Sequence, residues 1–300
     1  MVGSAICRRL RASGYTNVVV RTRADLDLLD QQAVYRFLAK EQPDYVFIAA
    51  AKVGGIFANN TYRADFLFQN LAIESNLIHG SHLSGVQHLM FLGSSCIYPR
   101  DCPQPMREEY LLAGPLEPTN EPYAIAKIAG VKLCEAYRHQ FGHNYISVMP
   151  TNLYGPNDNY DLETSHVLPA LIRKAHEAKV RGERQFIVWG SGTPRRELLF
   201  VDDLATACLH LMRHQDDSGL LPSLINVGYG EDITIRELAE IVMDVVGFSG
   251  VIQFDATKPD GAPRKLLDSG RVHQLGWRAH TTLREGIQRS YQDYLSILAV

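Results

Sequence analysis

Apolar residues along this chain fall into short unbroken runs, and amphipathic stretches with a helical repeat lie between them. Val2, Ile6 and Leu10 share one stripe, so residues 2–13 read as a helix that Gly14 ends. Asn17-Val18-Val19-Val20, a β-branched run closed by Arg21, reads as a strand. Residues 31–40 are helical, and residues 45–50 form a near-continuous apolar strand. A longer helix over 64–79 precedes the buried strand 88–92. A Pro-rich loop from Pro99 to Pro122 then leads into a helix opening at Tyr123 and a strand at 145–149. Strands that are apolar throughout, instead of alternating, are buried on both faces. Their alternation with helices predicts an α/β fold: a doubly wound, Rossmann-like parallel sheet.

Beyond Pro150 the rhythm loosens. Residues 167–179 read as a helix, 186–188 as a strand and 190–196 as a turn-rich loop. After 198–200, Asp202-Asp203 is placed to cap a helix over 204–213. Residues 224–226 add a last strand to the sheet, and 235–246, 251–254 and 283–298 make a smaller mixed lobe. The expected organisation is therefore a nucleotide-binding domain over 1–155, with 197–227 returning to it. Residues 156–196 and 228–300 form the carboxy-terminal substrate lobe. A doubly wound sheet ordinarily opens with a strand and a glycine-rich turn that holds a pyrophosphate at the first helix. Here that helix begins at Met1, with only Gly3 left of a glycine fingerprint. The first strand and its turn, roughly a dozen residues, are expected to be missing or to precede an internal methionine.

Composition narrows the class without naming a chemistry. The chain has 300 residues, 46% hydrophobic and 21% charged, as in a globular protein with a proper core. A net charge of -3 gives no general reason for nucleic acid or an anionic membrane as partner. Five cysteines, odd in number and without zinc-ligand spacing, suggest reduced thiols and no metal site. No run of about 18 apolar residues and no secretory pattern is present, so a soluble cytoplasmic protein is expected.

The chemistry concentrates in two stretches. In Asn120-Glu121-Pro122-Tyr123-Ala124-Ile125-Ala126-Lys127, Pro122 suits a first helical turn, and Tyr123 and Lys127 are four apart on one face. An ammonium near a phenol lowers its pKa and suits it to pass a proton to a carbonyl oxygen. On a solvated helix such a pair is also common without any function. Gly93-Ser94-Ser95-Cys96 lies where a buried strand ends, which in parallel sheets is where ligands bind. Taken alone it reads better as a tight turn, and Cys96 as a small buried hydrophobe. Arg21 and Arg23 follow the strand predicted at 17–20, the second of a complete sheet of this kind, where a cation suits the 2′-phosphate of NADP(H), although Asp25 and Asp27 stand close by.

Together these stretches resemble the extended short-chain dehydrogenase/reductases, with their Ser and Tyr-x-x-x-Lys set. Within them the chain is most similar to the enzymes that epimerise and reduce a GDP-bound 4-keto-6-deoxy sugar with NADPH. The resemblance runs from Met1 to about Tyr294. It is carried by Ala49-Ala50-Ala51-Lys52-Val53-Gly54-Gly55-Ile56, Gly93-Ser94-Ser95-Cys96-Ile97-Tyr98-Pro99 and the Tyr123 stretch. Further matches are Met149-Pro150-Thr151-Asn152-Leu153-Tyr154-Gly155-Pro156, Trp189-Gly190-Ser191-Gly192-Thr193-Pro194 and Asp260-Gly261-Ala262-Pro263-Arg264-Lys265. Met1-Val2-Gly3-Ser4-Ala5 matches only the end of the family's glycine motif.

By position, the resemblance implies that Tyr123 protonates the C4 oxygen as hydride arrives, that Ser94 holds that oxygen, and that Lys127 tunes Tyr123 and binds the ribose. It assigns inversion at C3 and C5 to Cys96 and His166. That is sound chemistry, since the C4 ketone acidifies both hydrogens and a thiol and an imidazole can trade protons near neutral pH. Cofactor contacts are implied at Gly3, Arg23, Lys127, Asn152 and His166, and GDP contacts at Lys174, Trp189, Arg196, Asp260 and Lys265. Lys174 stands where better-known relatives carry Arg, and Lys keeps the charge but loses the bidentate geometry. A homodimer through the 64–79 and Tyr123 helices is implied as well. Two alternatives remain open here. One is a related nucleotide-sugar epimerase or dehydratase with tightly held NAD, against which Arg23, Cys96 and His166 argue. The other is a chain impaired in cofactor binding, or a non-catalytic NADP-binding protein, for want of the glycine turn.

Overall fold

Four of the apolar runs become one parallel sheet, and the helices between them cover both of its faces. The computed structural model describes residues 1–218, 221–258 and 260–299. In chain order the first elements are α1 (Val2–Ala12), α2 (Gln31–Glu41), β1 (Tyr45–Ile48), α3 (Ile56–Thr61), α4 (Arg63–Leu83) and β2 (His88–Leu92). Next come α5 (Glu121–Phe141), β3 (Asn144–Pro150), β4 (Asn152–Tyr154), α6 (Val167–Arg181), β5 (Gln185–Trp189), β6 (Arg195–Phe200) and α7 (Val201–Ser218). The rest are β7 (Leu224–Val227), β8 (Asp232–Thr234), α8 (Ile235–Val246), β9 (Val251–Asp255), β10 (Arg264–Lys265), α9 (Gly270–Gln274) and α10 (Leu283–Leu298).

The sheet runs β1-β2-β3-β7, parallel throughout, with Tyr45 opposite His88, Leu89 opposite Tyr145 and Val148 opposite Ile225. Successive side chains of a strand point to opposite faces. Met90, Leu92, Ile146 and Val148 accordingly pack with Ala5 and Ile6 of α1 and Leu204, Cys208 and Leu211 of α7. Leu89, Phe91, Tyr145 and Met149 pack on the other side with Ile78 of α4 and Val131 and Cys134 of α5. Each such fully buried side chain contributes about 1.5–3 kcal/mol, which is why the strands must be apolar on both faces.

The expected strand at Asn17–Val20 is not formed. Val19 and Val20 are exposed and no strand lies beside them among the described residues, and a strand exists only through its ladder. The helix expected over 204–213 starts at Val201, so Asp202 and Asp203 sit inside its first turn instead of capping it. Asp203 accepts the backbone N–H groups of His280 (3.2 Å) and Thr281 (2.8 Å), tying α7 to the segment before α10. The loop expected over 190–196 ends earlier, because Arg195 and Arg196 already pair with β8 and β10.

A second core gathers α6, α8, α10 and the parallel pair β5–β9, with Leu171, Phe186, Leu238, Val242 and Ile287 at its centre. Helices α8 and α10 each open on a Thr capping box, Thr234 with Glu237 and Thr282 with Glu285, which contributes ~1 kcal/mol apiece. Val272 and Trp277 turn back into the sheet's core, where the Trp277 indole donates to Thr206 at 2.9 Å. Glu197, fully buried at the junction, accepts the N–H groups of Gly230 (2.8 Å) and Leu267 (2.9 Å). Each of those donors left unpaired would cost ~1–3 kcal/mol, so this one carboxylate holds two loops in register. No helix among the described residues is long and apolar enough to cross a membrane.

Candidate active site

The carboxyl ends of β1, β2 and β3 point the same way, and the candidate residues gather there. Leu92 ends β2, and Ser94 begins the turn after it, accepting the Cys96 N–H at 3.5 Å. Pro122 occupies the first turn of α5, as expected, and brings Tyr123 alongside. Hydrogen bonding from the Ser94 hydroxyl acts on both the Tyr123 phenol and the Cys96 thiol, and the thiol acts electrostatically on the phenol. Phenol, hydroxyl and thiol therefore share one site. The Tyr123 ring is braced edge-on by Phe66, at 6.2 Å between centroids.

The expectation that Lys127 lowers the Tyr123 pKa is overturned. Burial first, then the charges of Cys96 and Glu74, push the phenol well above its ordinary value, with the Ser94 hydrogen bond opposing. The reason lies in the partners of Lys127. Its ammonium is buried, 2.9 Å from Glu74 Oε1, donates to the Leu92 carbonyl at 3.1 Å, and stands 5.9 Å from the Tyr123 ring centroid. A cation already neutralised by a carboxylate has little left to offer a phenol. Burial likewise raises the Cys96 thiol, against the Ser94 hydrogen bond and the ammonium groups of Lys265 and Lys127.

His166 occupies the N-cap position of α6 without making a capping hydrogen bond, so its imidazole remains open to the cleft. Enclosure by the cleft walls, and then the Lys265 ammonium, hold its pKa below the usual imidazole value. The structure thus sets Lys265 with Cys96 and His166, although the resemblance had assigned it to GDP. Cys96 and Lys265 also line one narrow cavity of about 20 Å³ together with Glu117.

The other GDP candidates cluster elsewhere in the cleft. Lys174 lies over the Trp189 ring at 4.4 Å and Lys258 at 5.2 Å, leaving Trp189 half-exposed between two cations. Asp260 accepts the Ser191 N–H at 2.9 Å and its hydroxyl at 2.7 Å. Gly190 makes this possible, with a φ of +82° and no room for a Cβ, which would fall 2.3 Å from Asp260 Oδ1. Arg196 donates to the Ala262 carbonyl at 2.6 Å. Asn152 gives one amide hydrogen to the Glu197 carbonyl at 2.9 Å, which leaves its amide oxygen for a ligand. Sequence reasoning missed Lys258 and Glu74. Lys258 reaches Trp189 only through the β5–β9 pairing; for Glu74 the one available signal is a carboxylate amid the apolar positions of α4.

Away from this cluster, Gly3 lies in the first turn of α1, against Ala49 beyond β1. Arg23 is exposed and forms no ion pair among the described residues. The neighbouring acids are spent locally: Asp25 accepts the Thr22 N–H (3.0 Å) and hydroxyl (2.6 Å), and Asp27 the Leu29 N–H (3.0 Å). A free cation there fits the 2′-phosphate of NADP(H). A hollow of about 510 Å³ at Pro222, Ser223, Arg271, Gln274 and Leu275 lies at the amino end of β7. Parallel sheets bind ligands at the other end, so chemistry and not volume locates the site.

The parallel sheet with a Tyr-x-x-x-Lys helix and a serine at its strand end is that of an extended short-chain dehydrogenase/reductase. The pattern of the NAD dependent epimerase/dehydratase family matches residues 1–228, and the chain belongs to that family. GDP-L-fucose synthase of Escherichia coli (strain K12) is 57% identical over 300 residues, covering 98% of this chain and 94% of the relative. A GDP-6-OMe-4-keto-L-xylo-heptose reductase from C. jejuni superposes with a TM-score of 0.92 at 37% identity, over 99% of this chain and 95% of that one. A GDP-L-fucose synthetase from Naegleria fowleri, solved with NADP bound, gives a TM-score of 0.89 at 28% identity, over 100% and 92%.

Proposed function

We propose that this chain converts GDP-4-keto-6-deoxy-D-mannose to GDP-L-fucose by NADPH-dependent 3,5-epimerisation and 4-reduction. The observation that carries the reading is the Ser94 hydroxyl acting on the Cys96 thiol and the Tyr123 phenol at once. One sugar ketone at that hydroxyl would meet both the groups for inversion and the group for reduction. The similarity to GDP-L-fucose synthases along almost the whole chain supports the GDP-sugar as substrate.

The cofactor would be held by Arg23 at its 2′-phosphate, with Gly3, Lys127, Asn152 and His166 as further contacts. NADPH, when bound, supplies the hydride for C4. Everything else falls to the chain's own residues. Ser94 polarises the C4 oxygen, so the hydrogens at C3 and C5 become acidic. Cys96 and His166 remove and return those protons from opposite faces. At rest both are neutral, the thiol by burial and the imidazole by enclosure and Lys265, so neither needs a counter-ion before substrate arrives. Tyr123, protonated because it is buried, then gives its proton to the C4 oxygen as the carbonyl becomes an alcohol. Trp189, Lys174, Lys258, Arg196 and Asp260 form the nucleotide end: an aromatic face for base or ribose and cations for the diphosphate.

The test is product analysis in heavy water. With GDP-4-keto-6-deoxy-D-mannose and NADPH, GDP-L-fucose should form with deuterium at C3 and C5 and the transferred hydrogen at C4. Tightly retained NAD in the purified protein, with no consumption of NADPH, would favour a 4-epimerase or dehydratase of the same family instead.

The reading includes a homodimer through α4 and α5, which pack together and leave Phe68 and Ile125 exposed. Phe68→Glu should then give a monomer in sedimentation velocity, and a wild-type chain that already sediments as a monomer would remove the dimer. It also includes a cytoplasmic location, supported by five free cysteines and checked by cell fractionation.

A further inference from the structure

Inversion at two carbons needs something that inversion at one does not. In the manno ring of the keto sugar the C3 and C5 hydrogens lie on one face. The group that takes the first must therefore take the second, and the group opposite must give twice. Cys96 and His166 each change protonation state at the first carbon and must change back before the second. For His166 this is simple, because its imidazole is exposed and trades protons with water directly. Cys96 is nearly buried, and a sugar in the cleft would cover what remains. Its proton needs a path that does not lead through the substrate.

The narrow cavity of about 20 Å³ that Cys96 lines offers one. A single water needs about 10–15 Å³ and two to four polar partners, and Ser95, Cys96, Glu117 and Lys265 all border this space. Its other polar side chains are engaged elsewhere. The Tyr98 hydroxyl donates to Asn226 at 2.6 Å, and the Gln104 amide oxygen accepts the Leu266 N–H at 2.9 Å. Arg100 pairs with Asp101 and Arg264 with Asp232. An ammonium is already fully protonated, so Lys265 can hold a water but cannot take up a proton. Glu117 can. One of its oxygens accepts from Thr119 at long range, 3.4 Å from the backbone nitrogen and 3.3 Å from the hydroxyl. The other takes no partner among the described residues, and the side chain is only half-buried, so it borders both the cavity and solvent.

We propose that Glu117, through one water in this cavity, exchanges the proton of Cys96 and so resets the thiol between inversion at the first carbon and inversion at the second. This rests on the reading of Cys96 and His166 as the inverting pair. Where the thiolate has taken a proton, a C–H bond has broken and an S–H bond has formed. The thiol gives that proton to the water as the water gives one of its own to the Glu117 carboxylate. The S–H bond breaks, a carboxyl O–H forms and the thiolate is restored; Glu117 then releases its proton to solvent. Where the thiol has instead given its proton to carbon, the same path runs backwards and refills it. No further reactant is needed.

The experiment runs GDP-4-keto-6-deoxy-D-mannose in heavy water without NADPH, quenches early with borohydride and counts inverted and deuterated centres by NMR and mass spectrometry. The wild-type chain should give sugar inverted and deuterated at both C3 and C5. Glu117→Gln keeps the size but cannot take up the proton, so sugar with a single inverted centre should accumulate. The ratio of doubly to singly inverted sugar should fall about tenfold or more. Glu117→Asp keeps a carboxylate and should recover most of that ratio. In both variants an already epimerised ketone should be reduced with the wild-type kcat and KM. An unchanged ratio in Glu117→Gln, an equal fall in Glu117→Asp, or reduction lost in parallel with the second inversion overturns the proposal. The path is also read without substrate. A high-resolution crystal structure should show one water within hydrogen-bond reach of the Cys96 sulfur and a Glu117 oxygen, and no water there overturns the path. A wild-type chain that exchanges neither hydrogen would fall on the functional reading, while the water still decides whether the path exists.

Discussion

Tyr123→Phe should abolish NADPH oxidation while the C3 and C5 hydrogens go on exchanging with solvent. The phenol is the one hydroxyl in the site that is both beside Ser94 and held protonated by its surroundings. Hydride delivery to a ketone without a proton for its oxygen would leave an alkoxide in a buried site, which is strongly disfavoured. Loss of a positioned general acid costs ~10²–10⁴-fold in rate. Phe keeps the ring and so keeps the edge-on contact with Phe66 at 6.2 Å, and the fold should be unaffected. Exchange needs only the ketone, a base and an acid, and none of these is removed. NADPH oxidation at more than a tenth of the wild-type rate, by the same order-of-magnitude argument, would take Tyr123 out of the proton transfer.

Cys96→Ser should do the reverse. A hydroxyl nearly isosteric with the thiol is far less acidic, so it cannot trade protons with carbon near neutral pH. Exchange at C3 and C5 should fall by ~10²–10⁴-fold, while reduction of a ketone supplied already epimerised changes little. Cys96 is 7% exposed and its backbone N–H also holds the turn through Ser94, so a serine, little different in size, fits the same place. Unchanged exchange would remove Cys96 from the mechanism. The two variants give opposite patterns only if inversion and reduction are run by different residues on one bound sugar.

Both experiments name residues that are legible in the amino-acid sequence alone. Tyr123 and Lys127 announce themselves by a four-residue spacing behind a proline, and Ser94 and Cys96 by following an apolar run. The central strands are equally legible, since a strand buried on both faces must be apolar at every position, as Leu89, Met90 and Phe91 are. Val18-Val19-Val20 has the same composition and is no strand, because composition expresses a preference and pairing requires a neighbour. Asp202-Asp203 shows the same limit at shorter range. The acids do mark a helix start, but Asp203 spends its oxygens on residues 280 and 281.

The sequence by itself determined which segments are helix and which are buried strand through the centre of the fold, and which side chains are the candidates for acid–base chemistry. Local periodicity and residue type are enough for that, because they act between near neighbours. Only the tertiary structure decided the ionic state of the site. It set Glu74 against Lys127, Lys265 beside Cys96 and His166, and Lys258 against Trp189. A pKa depends on burial and on charges a few ångströms away, and folding brings those charges from positions far apart in the chain. That is why spacing alone predicts a phenol made more acidic by its lysine, and the folded protein holds it more firmly protonated.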